Sequence, residues 1–245
     1  MNHTITTLRG AMRRLTKQLV FGAALGASSL AHAGVLNFES AAVGTTYTSN
    51  AKNQIGDYWI EARNFVNAQP PAQAGEIYSG SNCGVQRCPT NNASNYYGTY
   101  ADGYLYFGLN NNATFSLTSL DASMIGYAGQ TTFPGTSGAL LIQGFDASNR
   151  AVGNSQTIFM PGQGGALTFN TYDLSPLSQY EFSYVRIYGY ACDVGGNCSR
   201  TNGRAHIALD NIRTVNGAVP EPATLALFGI GLAGAALIRR RRRAA

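Results

Sequence analysis

The sequence predicts an all-β protein, a β-sandwich assembled from short strands. Three observations predict it. Between residues 34 and 218 the chain is rich in Gly, Asn, Thr, Ser and Tyr and poor in charge. Short runs of alternating apolar and polar residues recur there, separated by turn residues. Strong helix start and stop signals are missing.

The expected elements follow in chain order. Residues 67 to 100 hold Pro70, Pro71, two cysteines and an Asn-rich run, and read as one long surface loop. In the run from Ala113 to Thr118, Phe115 and Leu117 share a face. Leu140 to Phe145 is almost continuously apolar and suits a central strand. Asp146 to Arg150 reads as a turn, and Ser155 to Met160 as the return strand. Gly162 to Gly165 reads as a hairpin loop, after which Leu167 and Phe169 alternate. Val185 and Ile187 share a face of the strand from Tyr184 to Tyr188. A closing strand spans Ala205 to Thr214, with Ile207 and Leu209 inward. Ile212 falls out of that alternation, so Asp210 and Asn211 mark a β-bulge.

Both ends of the chain carry addresses. Arg9, Arg13, Arg14 and Lys17, an apolar stretch from Leu19 to Leu30, and Ala31-His32-Ala33 have the order of a secretory signal peptide over residues 1–33. The expected route is the Sec translocon, with signal peptidase cutting before Gly34. At the other end, Pro220, Glu221 and Pro222 precede an apolar run from Ala223 to Ile238. Arg239, Arg240, Arg241, Arg242 and Arg243 follow it. As a helix, that run would be about 24 Å long at about 1.5 Å per residue. That is short for a hydrocarbon core of about 30 Å, so the expected transmembrane helix 223–238 is a temporary hold. The arginines keep the end cytoplasmic, which places the preceding domain outside.

Motif, short apolar helix and basic stop, in that order over residues 219–245, resemble the PEP-CTERM sorting signal of Gram-negative bacteria. The resemblance implies recognition by an exosortase and removal of the tail. It implies passage through the inner membrane and then a place at the cell surface or in the extracellular matrix of biofilm-forming, exopolysaccharide-producing cells.

With both addresses removed, residues 34–218 form one exported domain of ordinary size. The whole chain has a net charge of +5, but nine of its 17 basic residues lie in the two addresses. Eight basic residues then face eleven acidic ones, a net charge of −3. No basic cluster remains in the domain, which argues against a nucleic-acid partner.

All four cysteines lie in the domain, and an oxidising compartment favours disulfides. Four cysteines allow three pairings. Cys83 with Cys88, and Cys192 with Cys198, each close a short Gly-containing loop and are the expected pairs. The alternative, a four-cysteine zinc site, has looser spacing than a zinc ribbon uses.

Motifs for catalysis are scarce. His206 is the only histidine beyond the signal peptide, and it lies in the closing strand. There is no Gly-x-Ser-x-Gly, no His-Glu-x-x-His and no P-loop. Glu39, Asp57, Glu61, Glu76, Asp102 and Asp193 are the carboxylates from which a glycosidase pair would have to come.

The segments Leu36 to Glu39 and Ile207 to Ile212 resemble the first and last strands of jelly-roll carbohydrate-binding modules. That resemblance implies a jelly-roll-like sandwich whose terminal strands lie side by side. It also implies a structural Ca²⁺ held by Glu39 and Asp210, since carboxylate oxygens suit that ion. Fourteen tyrosines and one tryptophan add to this reading. Tyr96, Tyr97, Tyr100, Tyr104 and Tyr106 cluster, and Trp59 follows Tyr58. Such rings can stack on sugar faces or simply pack in strands.

The expectation is a non-enzymatic, exosortase-sorted surface or matrix protein associated with exopolysaccharide. A glycan-active hydrolase and a surface protein without a ligand are the alternatives. One measurement checks both addresses. The mass of the protein from its native host should start at Gly34 and lack everything after the Pro220–Pro222 motif. Glu221→Ala should leave the tail attached, and an unchanged mass in that variant would sink the sorting reading.

Overall fold

The computed structural model describes residues 33–65, 72–80, 82–84, 86–100, 102–163, 166–200 and 203–216. They fall in one compact unit, His32–Gly217. Residues 1–32 of the expected signal peptide, the Pro220–Pro222 motif, the apolar run 223–238 and Arg239 to Arg243 lie outside the described residues.

Fifteen strands are described. Seven form the first antiparallel sheet: β1 (Ala33–Leu36), β2 (Thr46–Thr48), β5 (Gln73–Ser79), β6 (Asn95–Thr99), β8 (Phe115–Met124), β12 (Asn170–Asp173) and β15 (Ile207–Asn216). Its order is β12-β8-β15-β6-β5-β2, with β1 also pairing with β15. Eight form the second: β3 (Lys52–Ile55), β4 (Tyr58–Arg63), β7 (Tyr104–Leu109), β9 (Thr136–Phe145), β10 (Ala151–Gln163), β11 (Ala166–Leu167), β13 (Tyr184–Cys192) and β14 (Cys198–Ser199). Its order is β11-β10-β9-β13-β7-β4-β3, with β14 on β13. The only helical element among the described residues is a 3-10 turn, Ser175–Leu177. The protein is an all-β sandwich.

The core forms where the inner faces meet. Phe115, Leu117, Leu120, Ile207, Leu209 and Ile212 of the first sheet join Ile60, Leu105, Phe107, Leu140, Ile142, Val185 and Ile187 of the second. The expected inward pairs on β8, β13 and β15 are all buried. β9 lies between β10 and β13, which explains its apolar run. The bulge at Asp210 and Asn211 is present: the register with β8 shifts after Asp210, and Asn211 has φ of 45°.

One expectation fails. Residues 67–100 are not a single loop, because β5 and β6 lie inside the first sheet between β15 and β2. Tyr96 and Tyr97 are fully buried, on opposite faces of β6. Tyr97 enters the main core beside Phe38 and Tyr47. Tyr96 packs with Tyr78, Ile125, Phe169 and Cys83 on the outer face, under the loop closed by Cys83 and Cys88. Glycines on neighbouring strands make the room. A Cβ at Gly75 would run into the Tyr97 phenol, and one at Gly98 into the Tyr78 ring.

The same loop covers His206. The imidazole is 9% exposed, lies 5.9 Å from the Tyr100 ring, and its Nδ1 is 3.0 Å from Gln86 Nε2. Burial holds the imidazole below its usual range. Asp102 is also buried, and its carboxylate accepts the backbone N–H groups of Gly203 and Ala205, both at 2.7 Å. These two groups shape the loop that leads into β15.

Two outcomes follow. Gly75→Ala should cost about 1–3 kcal/mol in urea unfolding of the oxidised protein, because the Tyr97 ring has nowhere to move. Gly135→Ala, whose Cβ meets nothing within 4 Å, should be neutral. Equal effects would refute the ring-over-glycine account. For His206, the unfolded imidazole takes a proton near pH 6.5 while the folded one does so only at lower pH. Stability should therefore fall as pH drops from about 7 through 6.5, and His206→Gln should flatten that slope. A variant with the wild-type slope would show that His206 is not its source.

Candidate functional site

The outer face of the second sheet gathers a continuous set of half-buried rings. Alternation dictates which residues reach it. On β13, Val185 and Ile187 point into the core, so Tyr184, Arg186, Tyr188 and Tyr190 point out. On β7, Leu105 and Phe107 are inward and Tyr104 and Tyr106 outward. On β4, Ile60 and Ala62 are inward and Trp59, Glu61 and Arg63 outward. Phe145 extends the set from β9.

Strand register places these side chains in rows. Glu61 pairs with Tyr106, Tyr106 with Arg186, and Arg186 with Gln143. Arg63 pairs with Tyr104, and Tyr104 with Tyr188. Gly108 lies opposite Trp59, and a Cβ there would meet the indole. The missing side chain lets the tryptophan lie over β7.

The rings touch in sequence. Phe145 stacks on Tyr184 at 5.0 Å with 9° between the planes. Tyr184 meets Trp59 at 6.3 Å and Tyr106 at 5.8 Å. Tyr106 meets Tyr104, Tyr104 meets Tyr188, and Tyr188 meets Tyr190, each between 5.6 and 6.3 Å. Cations lie over them. Lys52 Nζ is 4.2 Å from the Trp59 ring, and the Arg63 guanidinium 4.6 Å from Tyr106. Arg63 also pairs with Glu61 at 2.6 Å. Burial pushes the Tyr184 and Tyr190 phenols up, so both keep their protons at neutral pH. A groove of about 740 Å³ opens here, lined by Trp59, Arg63, Tyr106 and Tyr184 with Asn112 and Asn149. The Tyr184 hydroxyl donates to Asn149 Oδ1 at 3.0 Å. Flat apolar faces beside amide and hydroxyl groups suit a ligand with apolar C–H faces and a hydroxyl rim.

Of the clustered aromatics expected from sequence, Trp59, Tyr104 and Tyr106 belong to this face. Tyr96 and Tyr97 do not, and Tyr100 packs beside the buried cluster of the first sheet and donates to Glu76 Oε2 at 2.8 Å. Phe145, Tyr184, Tyr188 and Tyr190 join the face without standing out in the sequence as a cluster. Their signal was the parity of β13: once Val185 and Ile187 are inward, the residues between them face out.

Cys83 is bonded to Cys88, and Cys192 to Cys198, and no described cysteine is free. Glu39 and Asp210, the carboxylates of the calcium expectation, both meet the protein's own donors. Asp210 is 1% exposed, and its Oδ2 accepts Ser94 Oγ at 2.6 Å and Asn92 Nδ2 at 3.1 Å. Its Oδ1 accepts the Asn211 N–H at 2.8 Å. Glu39 Oε1 accepts the Asn95 N–H at 3.1 Å. Both carboxylates thus clasp the segment that leads into β6. Among the described residues, no three His, Cys, Asp or Glu side chains are grouped to hold a metal ion. Burial, with the neighbouring Asp121 charge, holds the Asp210 carboxyl above its usual range against these hydrogen bonds.

Residues 218–243 match the PEP-CTERM protein-sorting motif. Comparison with curated proteins gives no match. Among solved structures, the chain is similar to a DUF4465 family protein from Bacteroides caccae ATCC 43185, at 12% identity and a TM-score of 0.50, over 76% of this chain and 100% of that one. That likeness shows the β-sandwich fold. A distant likeness links it to carbohydrate-binding modules of a β-sandwich superfamily, at 11% identity and a TM-score of 0.31, over 71% of this chain and 62% of that one. Another links it to the enzymatically active domain of tailspike protein 4 of bacteriophage CBA120, at 15% identity and a TM-score of 0.25, over 73% and 20%. The chain is an exported β-sandwich protein that carries a PEP-CTERM motif, the signal through which exosortase sorts proteins to the cell surface.

Proposed function

We propose that this protein is a non-enzymatic component of the cell surface or biofilm matrix that binds polysaccharide through the outer face of its second sheet. The connected rings from Phe145 through Tyr184, Trp59, Tyr106, Tyr104 and Tyr188 to Tyr190 are the observation that carries the reading. Sugar rings lay their C–H faces on aromatic faces, and the rim supplies Asn112, Asn149 and tyrosine hydroxyls for sugar hydroxyls. Glu61, the acidic member of the rows on this face, is tied to Arg63, which suits binding better than proton transfer. The sandwich is of the jelly-roll kind. Sec delivers the chain, signal peptidase cuts before Gly34, and the apolar run 223–238 holds it in the inner membrane until exosortase acts.

The mature exported protein should be retarded in affinity gels by at least one polysaccharide. Trp59→Ala, Tyr106→Ala and Tyr184→Ala should each weaken that binding by about tenfold or more, equivalent to about 1.4 kcal/mol. Arg213→Ala, exposed on the first sheet, should leave it unchanged. A protein that no polysaccharide retards has another function.

A further inference from the structure

Resting on that reading, we infer that the polysaccharide taken by this face is anionic, with sugar rings on the tyrosines and acid groups on Arg186 and Arg200. The domain as a whole is acidic, yet four of its eight basic residues, Lys52, Arg63, Arg186 and Arg200, converge on this face. Such a concentration on a net-negative domain is a local field, not a by-product of composition.

Arg63 is matched by Glu61. Arg186 and Arg200 differ: neither forms an ion pair with a carboxylate among the described residues. Each is held by rings instead. The Arg186 guanidinium lies 5.1 Å from the Phe145 ring and 5.0 Å from Tyr188. Arg200 lies 4.1 Å from Phe65, 4.2 Å from Tyr188 and 5.4 Å from Tyr190. Tyr188 thus carries a guanidinium from each. Contact with a ring face orients the planar group without using its in-plane N–H donors. A guanidinium fixed in orientation beside a stacking surface, without a carboxylate partner, is the counterpart of an incoming anion. A guanidinium takes a carboxylate or sulfate through paired, parallel hydrogen bonds. A neutral glucan would leave both charges unmatched. The acid group can come from a uronic acid or from a sulfate ester, and the test separates the two.

The experiment measures binding of the mature protein to polygalacturonate, dextran sulfate and neutral dextran by titration calorimetry, at about 50 and 500 mM NaCl. Expected is an affinity for one of the two polyanions at least about tenfold above that for dextran at low salt, weakened about tenfold at high salt. Arg186→Gln and Arg200→Gln should each lower that affinity about fivefold or more. Arg186→Lys, which keeps charge without the fork, should recover only part of it. Because Arg200 follows the short strand β14 and is not part of the core, its variant remains informative if the Arg186 variants fold poorly. Dextran bound as tightly as either polyanion overturns the inference but leaves polysaccharide binding standing. Polyanion binding that neither glutamine variant weakens overturns it as charge attraction elsewhere on the protein. Binding to none of the three, with none to any other polysaccharide, removes the proposed function as well.

Discussion

Ile207, Leu209, Ile212 and Thr214 all reach the core from one strand, and they do so because Asn211 takes a left-handed backbone conformation between them. A regular strand has period two, so Leu209 and Ile212 would otherwise lie on opposite faces. The bulge resets the phase. Ahead of it, Ala208 and Asp210 face outward toward the second cluster and the Asn92–Ser94 segment. Beyond it, Thr214 Oγ1 lies 2.7 Å from the Tyr58 hydroxyl of the opposing sheet, a buried hydrogen bond across the sandwich. β15 also touches β1, β6 and β8. Its phase is therefore imposed on the middle of the first sheet, and through Tyr58 on β4, the strand that carries Trp59. β8 shows the matching shift: Phe115 and Leu117, then Leu120 and Ala122, all turn inward.

Much of this was legible in the chain. The apolar run of β9, the alternation of β13 and β15 and the bulge itself all come from residues whose local pattern agrees with their final environment. β5 and β6 were hidden for the opposite reason. Tyr96 and Tyr97 are adjacent and both buried, so no alternation appears. Gly75 and Gly98 read as loop residues, although they are the spaces into which neighbouring tyrosines fit. Nothing local says that a disulfide loop will fold over the outside of the sheet and turn an exposed face into an interior. The binding face was half legible for a related reason. Trp59, Tyr104 and Tyr106 stood out by composition, whereas the outward residues of β13 required its inward residues to be used as a ruler.

The two sheets consequently differ in what they present. The outer side of the first sheet is occupied by Tyr78, Tyr96 and Ala208 under the Cys83–Cys88 loop and Phe169. The outer side of the second keeps its rings half-buried and its arginines ring-held. The Cys83–Cys88 disulfide acts on the closed side. Cys192 and Cys198 face each other across β13 and β14 and tie the strand that carries Tyr188 and Tyr190 to the one that Arg200 follows. Oxidation in the exported compartment thus finishes both sides by different means, closing one and steadying the other.

The antiparallel pairing of β1 with β15 sets Ala33 opposite Val215. The two ends of the domain therefore emerge side by side, the second leading toward the sorting motif. A pull between those ends loads the β1–β15 hydrogen bonds one after another, as a zipper opens, and not all together as in shear. With the proposed cut before Gly34, only one end stays attached, and no pull can act between the two. The β1–β15 seam is thus loaded as a zipper only while both ends are tethered.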